Sequence, residues 1–168
     1  MKKLSFLLIL SLYFMAIATG VNGADTAAVT ATVTPQSISV SVSDGTIAFG
    51  TVSLGGTQDT ITLTDTQTVT NTGNVMEDFN IKTSTATGGT TPWTVSTTTP
   101  DADSFVLSVS DDAGINWEII ESDYITMSME IEAAGEEPYD FKIDMPTSST
   151  DTDEKSITIT IQAVENTP

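Results

Sequence analysis

Apolar and hydroxyl residues alternate along most of this chain. The last stretch shows it most simply, with Ile157, Ile159 and Ile161 separated by Thr158 and Thr160. A period of two puts every second side chain on one face of a strand, so one face can be buried and the other wetted. The same alternation is present over Ala27 to Thr34, with Val29, Ala31 and Val33 on one face, and Pro35 interrupts it. Ile38, Val40 and Val42 then alternate with serines up to a tight-turn signal at Asp44-Gly45. Short extended pieces are predicted at 47–49 and 52–54, ending at Gly55-Gly56, and a longer strand or strand pair over Thr60 to Thr70.

A turn at Asn71-Thr72-Gly73-Asn74 leads to a strand around Phe79 and Ile81. Trp93 to Val95 follows the loop Gly88 to Pro92. Phe105, Leu107 and Val109 share a strand face, and Asp111 to Gly114 turns that strand onto Ile115, Trp117 and Ile119 as a hairpin. In this reading Trp117, in phase with Ile115 and Ile119, belongs to the core. Ile125, Met127, Met129 and Ile131 form one face of the next strand, which Ala134 to Pro138 turns onto Tyr139, Phe141, Ile143 and Met145. After the polar loop from Thr147 to Glu154, Lys155 to Val164 is the final strand.

The count is about nine or ten strands, at the spacing of roughly 8–12 residues expected of a sandwich or barrel. The expected fold is all-β, an antiparallel two-sheet sandwich with immunoglobulin-like character, and a closed barrel is the alternative.

The N-terminus changes the picture of where the protein works. Lys2 and Lys3, the apolar run from Leu4 to Ala18, and small residues at Ala18, Gly20, Gly23 and Ala24 have the order of a secretory signal peptide. The apolar run is shorter than the roughly 20 residues that a membrane span needs. Cleavage after Gly23 is expected, giving a signal over 1–23 and one β domain over 24–168, secreted or at the cell surface, with no membrane anchor left after cleavage.

The chain carries 23 acidic residues against five lysines, with no histidine, and its formal net charge is −18. Such a surface repels nucleic acid and anionic lipid and favours cations, basic partners or plain solubility. Cysteine is absent, so an exported domain would have no disulfides to staple it. Thirty-one threonines suit strands, where β-branched side chains are enriched.

Without His or Cys there is no Ser-His-Asp or Cys-His relay and no zinc site of the usual ligands. No Gly-rich phosphate loop is present either. An enzyme would have to work with carboxylates alone, as glycosidases do, and the expectation is that this protein is not an enzyme and carries no organic cofactor. Calcium is the ion its loops would suit, because it takes six to eight oxygen ligands. The candidate ligands are Asp101 with Asp103, Asp111 with Asp112, and Asp151 with Asp153. None matches EF-hand spacing, and the same residues also read as ordinary turn formers. Trp93, beside a Gly/Thr loop, is the candidate platform for a sugar ring, and packing in the core is its other reading.

The run Val69-Thr70-Asn71-Thr72-Gly73-Asn74-Val75 resembles the strand-turn pattern of small immunoglobulin-like domains on prokaryotic surface proteins. The hairpin around Ala134-Gly135, leading to Phe141-Lys142-Ile143, resembles their penultimate strand. The overall plan is similar to secreted β-sandwich filament subunits, including biofilm-matrix fibre proteins and archaeal bundling pilins. The resemblance implies a structural or adhesive role and a partner that is another copy or another surface protein, with an N-terminal strand completing a neighbour's sheet. Val29, Ala31 and Val33 would be the buried pegs of that strand; the other reading is a kinked first strand that splits between the molecule's own two sheets. A calcium-assisted carbohydrate-binding module, with a glycan on Trp93, and a small carboxylate hydrolase are the alternatives.

Overall fold

A computed structural model describes residues 26–166. The expected signal over 1–23 lies outside the described residues. The chain divides between Thr34 and Pro35 into two units. In the first, Thr26–Thr34 carries no regular secondary structure, so the strand expected over 27–34 is absent. Val29 and Val33 are 94% and 89% exposed.

The second unit is all-β, with ten strands in two sheets. They are β1 (Val40–Val42), β2 (Thr57–Asp59), β3 (Gln67–Asn71), β4 (Glu77–Thr83), β5 (Thr94–Val95), β6 (Ser104–Ser110), β7 (Glu118–Ile119), β8 (Ile125–Ile131), β9 (Glu136–Asp144) and β10 (Ile159–Glu165). The larger sheet runs β1-β3-β9-β6-β5, with β2 also on β9 and β7 also on β6. The smaller runs β10-β4-β8 and is antiparallel throughout. Period-two burial is regular on β3 and β4. Their inward residues Val69, Phe79 and Ile81 meet Phe105, Leu107, Val109, Tyr139, Phe141 and Ile143 in one sandwich-like core.

Part of the expected strand over Thr60 to Thr70 is instead a helical turn, α1 (Thr60–Leu63). Asp59 caps it, its Oδ1 accepting from Thr62 N at 2.7 Å. β9 pairs with β2 through Lys142 to Asp144 and with β3 through Glu136 to Tyr139, which leaves a gap at Asp140 and Phe141. Thr60 fills it. Its Oγ1 accepts from Phe141 N at 2.9 Å and donates to Asp140 Oδ1 at 3.0 Å. A buried side chain thus replaces a ladder hydrogen bond, which a strand at this position would have supplied.

The hairpin of β6 and β7 forms as expected, with Val109 opposite Glu118 and Ser108 opposite Ile119. Trp117 is not in its core. Directly opposite residues share a sheet face, so Ile119 and Trp117 lie on the outer face with Ser108, and Ile120 reaches the core instead. Ile115 is 80% exposed.

The expected hairpin between β8 and β9 does not form. β8 pairs with β4 and β9 with β3, so the turn crosses between sheets. Asn71 diverts it: Asn71 N donates to Gly135 O at 3.0 Å, and Ala134 N donates to Asn71 O at 3.0 Å. The single-face pattern expected on β8 also fails, because its pairing with β4 is bulged. Ser128 turns inward, Met129 is 69% exposed, and Glu130 adopts a left-handed φ of 61°.

Candidate interaction site

The candidate site lies on one open side of the two-sheet fold. β10 pairs only with β4. Ser84 N donates to Thr158 O and Asn166 N donates to Met76 O, which fixes the alternating parity of that ladder. The even-numbered residues of β10 therefore bond to β4. The main-chain groups of Ile159, Ile161 and Ala163 point to the free edge.

The same parity holds on β1. Ser43 N donates to Thr68 O, and Ser39 O accepts from Thr72 N, so Val40 and Val42 turn their N–H and C=O groups away from β3. Among the described residues, Ile47–Val52 makes no main-chain hydrogen bond. The two short strands expected around it carry no ladder. Gly50 and Gly55, at φ of 72° and 70°, break the extended run where pairing would begin.

These edges frame a groove of about 1210 Å³. Val40, Val42, Ile47 and Phe49 line one side, and Ile157, Ile159 and Ile161 the other. Leu107, Phe141 and Ile143 of the core form its floor. The sequence from Ser156 to Val164 has no charged residue, and neither has the run from Thr26 to Ser43. Exposed sheet edges are ordinarily guarded by charge, proline or bulges. The opposite edge of the small sheet is guarded in this way, by the bulged β8 and its Glu130. The β10 edge has no bulge or proline, and its only charge is the terminal Glu165.

One end of the groove is formed by the loop 152–155. Here Lys155 Nζ lies 2.7 Å from Asp151 Oδ2 and donates to the carbonyls of Gly88 at 2.6 Å and Thr91 at 2.9 Å. It stands 5.3 Å from the centre of the Trp93 ring. Asp151 Oδ2 also accepts from Thr90 N and Thr91 N, both at 2.6 Å, and Asp151 Oδ1 accepts from Asp153 N at 3.0 Å. Lys155 first, then the Thr91 and Asp153 amides, hold the Asp151 carboxyl well below the usual carboxylate range.

Trp93 is packed into this end of the groove and does not stand out as an open ring. It is 4% exposed, paired with Ala86 through two main-chain hydrogen bonds, and its Nε1 donates to Ser149 Oγ at 3.2 Å.

The six candidate calcium ligands are spread over separate loops. Among the described residues no group of three acidic side chains is placed to hold a metal ion. Asp151 spends its oxygens on Lys155 and backbone amides, as above. Asp103 accepts from Ser149 Oγ at 2.5 Å, which ties its loop to that of Asp151. Asp101 accepts from Ala102 N at 2.8 Å. Asp112 accepts from Ser110 Oγ, Asn116 N and Asn116 Nδ2, and the Asn116 amide is the largest of the influences that lower its carboxyl. Asp111 and Asp153 are exposed. The cation that does occupy an acidic loop is Lys155.

No protein-family model and no curated protein matches this chain. Two parts of the site were missed in the sequence. Lys155 stands out only as one of three lysines after Lys3, and the β10 edge only as an uncharged run in an acidic chain.

Proposed function

We propose that this is an exported, non-enzymatic structural or adhesive protein with an immunoglobulin-like sandwich, and that it self-associates through its N-terminal segment. Ala27–Thr34 of one copy enters the groove between β1 and β10 of another. The observation that carries this reading is the exposed, charge-free, alternately apolar segment around Val29, Ala31 and Val33 in a chain of net charge −18.

Chemistry and size both support the pairing. The groove edges offer main-chain donors and acceptors, and its floor is apolar, as strand addition requires. Fully extended, Ala27–Thr34 reaches about 26 Å, and β10, with 7 residues, about 23 Å. Ala27–Thr34 brings no charge, and the only charge on β10 is its last residue, the exposed Glu165, so no charge in the contact would have to leave water unpaired.

Negative-stain electron microscopy and light scattering of the chain from Ala24 onward test the reading. Regular rods or oligomers are expected, and they should disappear on deletion through Thr34 or with Val33→Asp. Oligomers that survive Val33→Asp unchanged overturn it, as does a chain that stays monomeric at high concentration in both low and high salt.

A further inference from the structure

The lysines show how such an association would be controlled. Lys82 Nζ is 4.4 Å from the centre of the Tyr124 ring, Lys142 Nζ 4.7 Å from a Trp117 ring, and Lys155 Nζ 5.3 Å from a Trp93 ring. Lys155 is in addition buried against Asp151. All three cations among the described residues thus lie over an aromatic ring of their own chain. No unengaged basic patch remains there to attract the acids of a second copy.

The groove itself adds repulsion at its rim. Of its lining residues only Asp153, Glu154 and Lys155 are charged; the two acids are exposed, whereas Lys155 is engaged with Asp151. The walls and the entering segment are neutral. Docking of 27–34 would therefore pair no lysine with a carboxylate across the contact, while two bodies of large like charge must approach each other. Salt then has one electrostatic effect, which is to weaken the repulsion. An interface held by ion pairs responds with the opposite sign.

We infer that assembly through this groove is gated by ionic strength and is switched on by general screening of the acidic surface, with no specific ion bridge. This inference rests on the self-association reading above. The Debye length falls from about 30 Å at 0.01 M salt to about 3 Å at 1 M, so copies that repel at low salt should dock at high salt.

The test is sedimentation velocity of the chain from Ala24 onward across that range of NaCl, with CaCl2 at matched ionic strength in parallel. The apparent dissociation constant is expected to fall at least about tenfold as screening grows, and equally in both salts. The Asp153→Asn/Glu154→Gln variant should associate more readily at low salt and respond less to added salt. Association that weakens or does not change with salt overturns the inference but leaves self-association standing. So does a larger response to calcium than to sodium, or a double variant with the full salt response of the parent. A chain that is monomeric in every condition, whether or not it carries Val33→Asp, removes the self-association reading and this inference with it.

Discussion

Lys155 Nζ and Asp151 Oδ2 lie 2.7 Å apart with side chains only 5% and 3% exposed. A buried pair of this kind is weak evidence for stability as a whole, yet removing one partner strands the other. Lys155→Met should therefore lower the melting temperature by more than about 5 °C. Asp151→Asn/Lys155→Met should recover part of the loss, because no charge is then left alone. Thermal melts of the two variants and the parent check this.

The same carboxyl gives an acid limb. Its folded-state pKa is depressed, so its contribution to stability is present above the ordinary carboxyl range near pH 4 and is lost as pH falls below it. Melting temperature followed from about pH 6 to about pH 2 should drop more steeply for the parent than for Asp151→Asn. Parallel curves would mean that Asp151 does not stabilise the fold through its charge.

Tyr139 sets an alkaline limb. Burial is the main reason its hydroxyl is pushed up to about 12, and it shares a 2.8 Å hydrogen bond with Ser128 Oγ. A raised pKa means that the neutral form is the one the fold favours. Its contribution is complete below the ordinary tyrosine value of about 10 and is lost as pH rises toward the folded value. Tyr139→Phe should be less stable than the parent at neutral pH by about 1 kcal/mol, and the gap should narrow above about pH 10. Denaturant titrations at the two pH values measure it.

Gly73 is required by closeness of packing. A methyl group built on it overlaps Glu77 Oε1 and the carbonyl of Ser37. The Glu77 oxygen cannot simply yield, since it accepts from Ser39 N at 2.8 Å in a fully buried position. Gly73→Ala should cost about 1–3 kcal/mol, read by urea denaturation.

Thr60 is the side chain that completes β9. Thr60→Val keeps the shape but leaves Phe141 N without an acceptor, at a cost of about 1–3 kcal/mol. Thr60→Ser keeps the oxygen and should cost less. Equal losses in both variants would show that packing of the methyl group, and not the hydrogen bond, is what matters there.

The class of fold was legible wherever burial is one-sided. β3 and β4 follow alternation because each presents one face to the core. The pattern failed where something non-local decides the geometry. β6 is buried on both faces, and its outer Ser108 and Ser110 read as solvent positions. β8 loses its phase to bulges that no single residue announces. The pairing of β9 depends on Asn71 and Thr60, polar residues acting far along the chain. At the candidate site, the alternation of Val29, Ala31 and Val33 was visible from the sequence, whereas the groove was not, because its walls come from β1 and β10 at opposite ends of the chain. For Trp93 a Pro/Gly/Thr-rich neighbourhood left both surface and core open, and the bridge to Ala86 that accompanies its burial is invisible in the sequence.

The left-handed Glu130 in β8 gives the small sheet two unlike edges, one smooth and one bulged. The bulged edge cannot continue a regular ladder, so a strand added beside β10 has no counterpart on the other side. Two sheets meeting there could not lengthen into a flat ribbon by repeating one contact. Growth would instead need each newcomer to bring its own loose end, so a copy stripped of that end acts as a terminator: it can receive a neighbour but can never extend the chain.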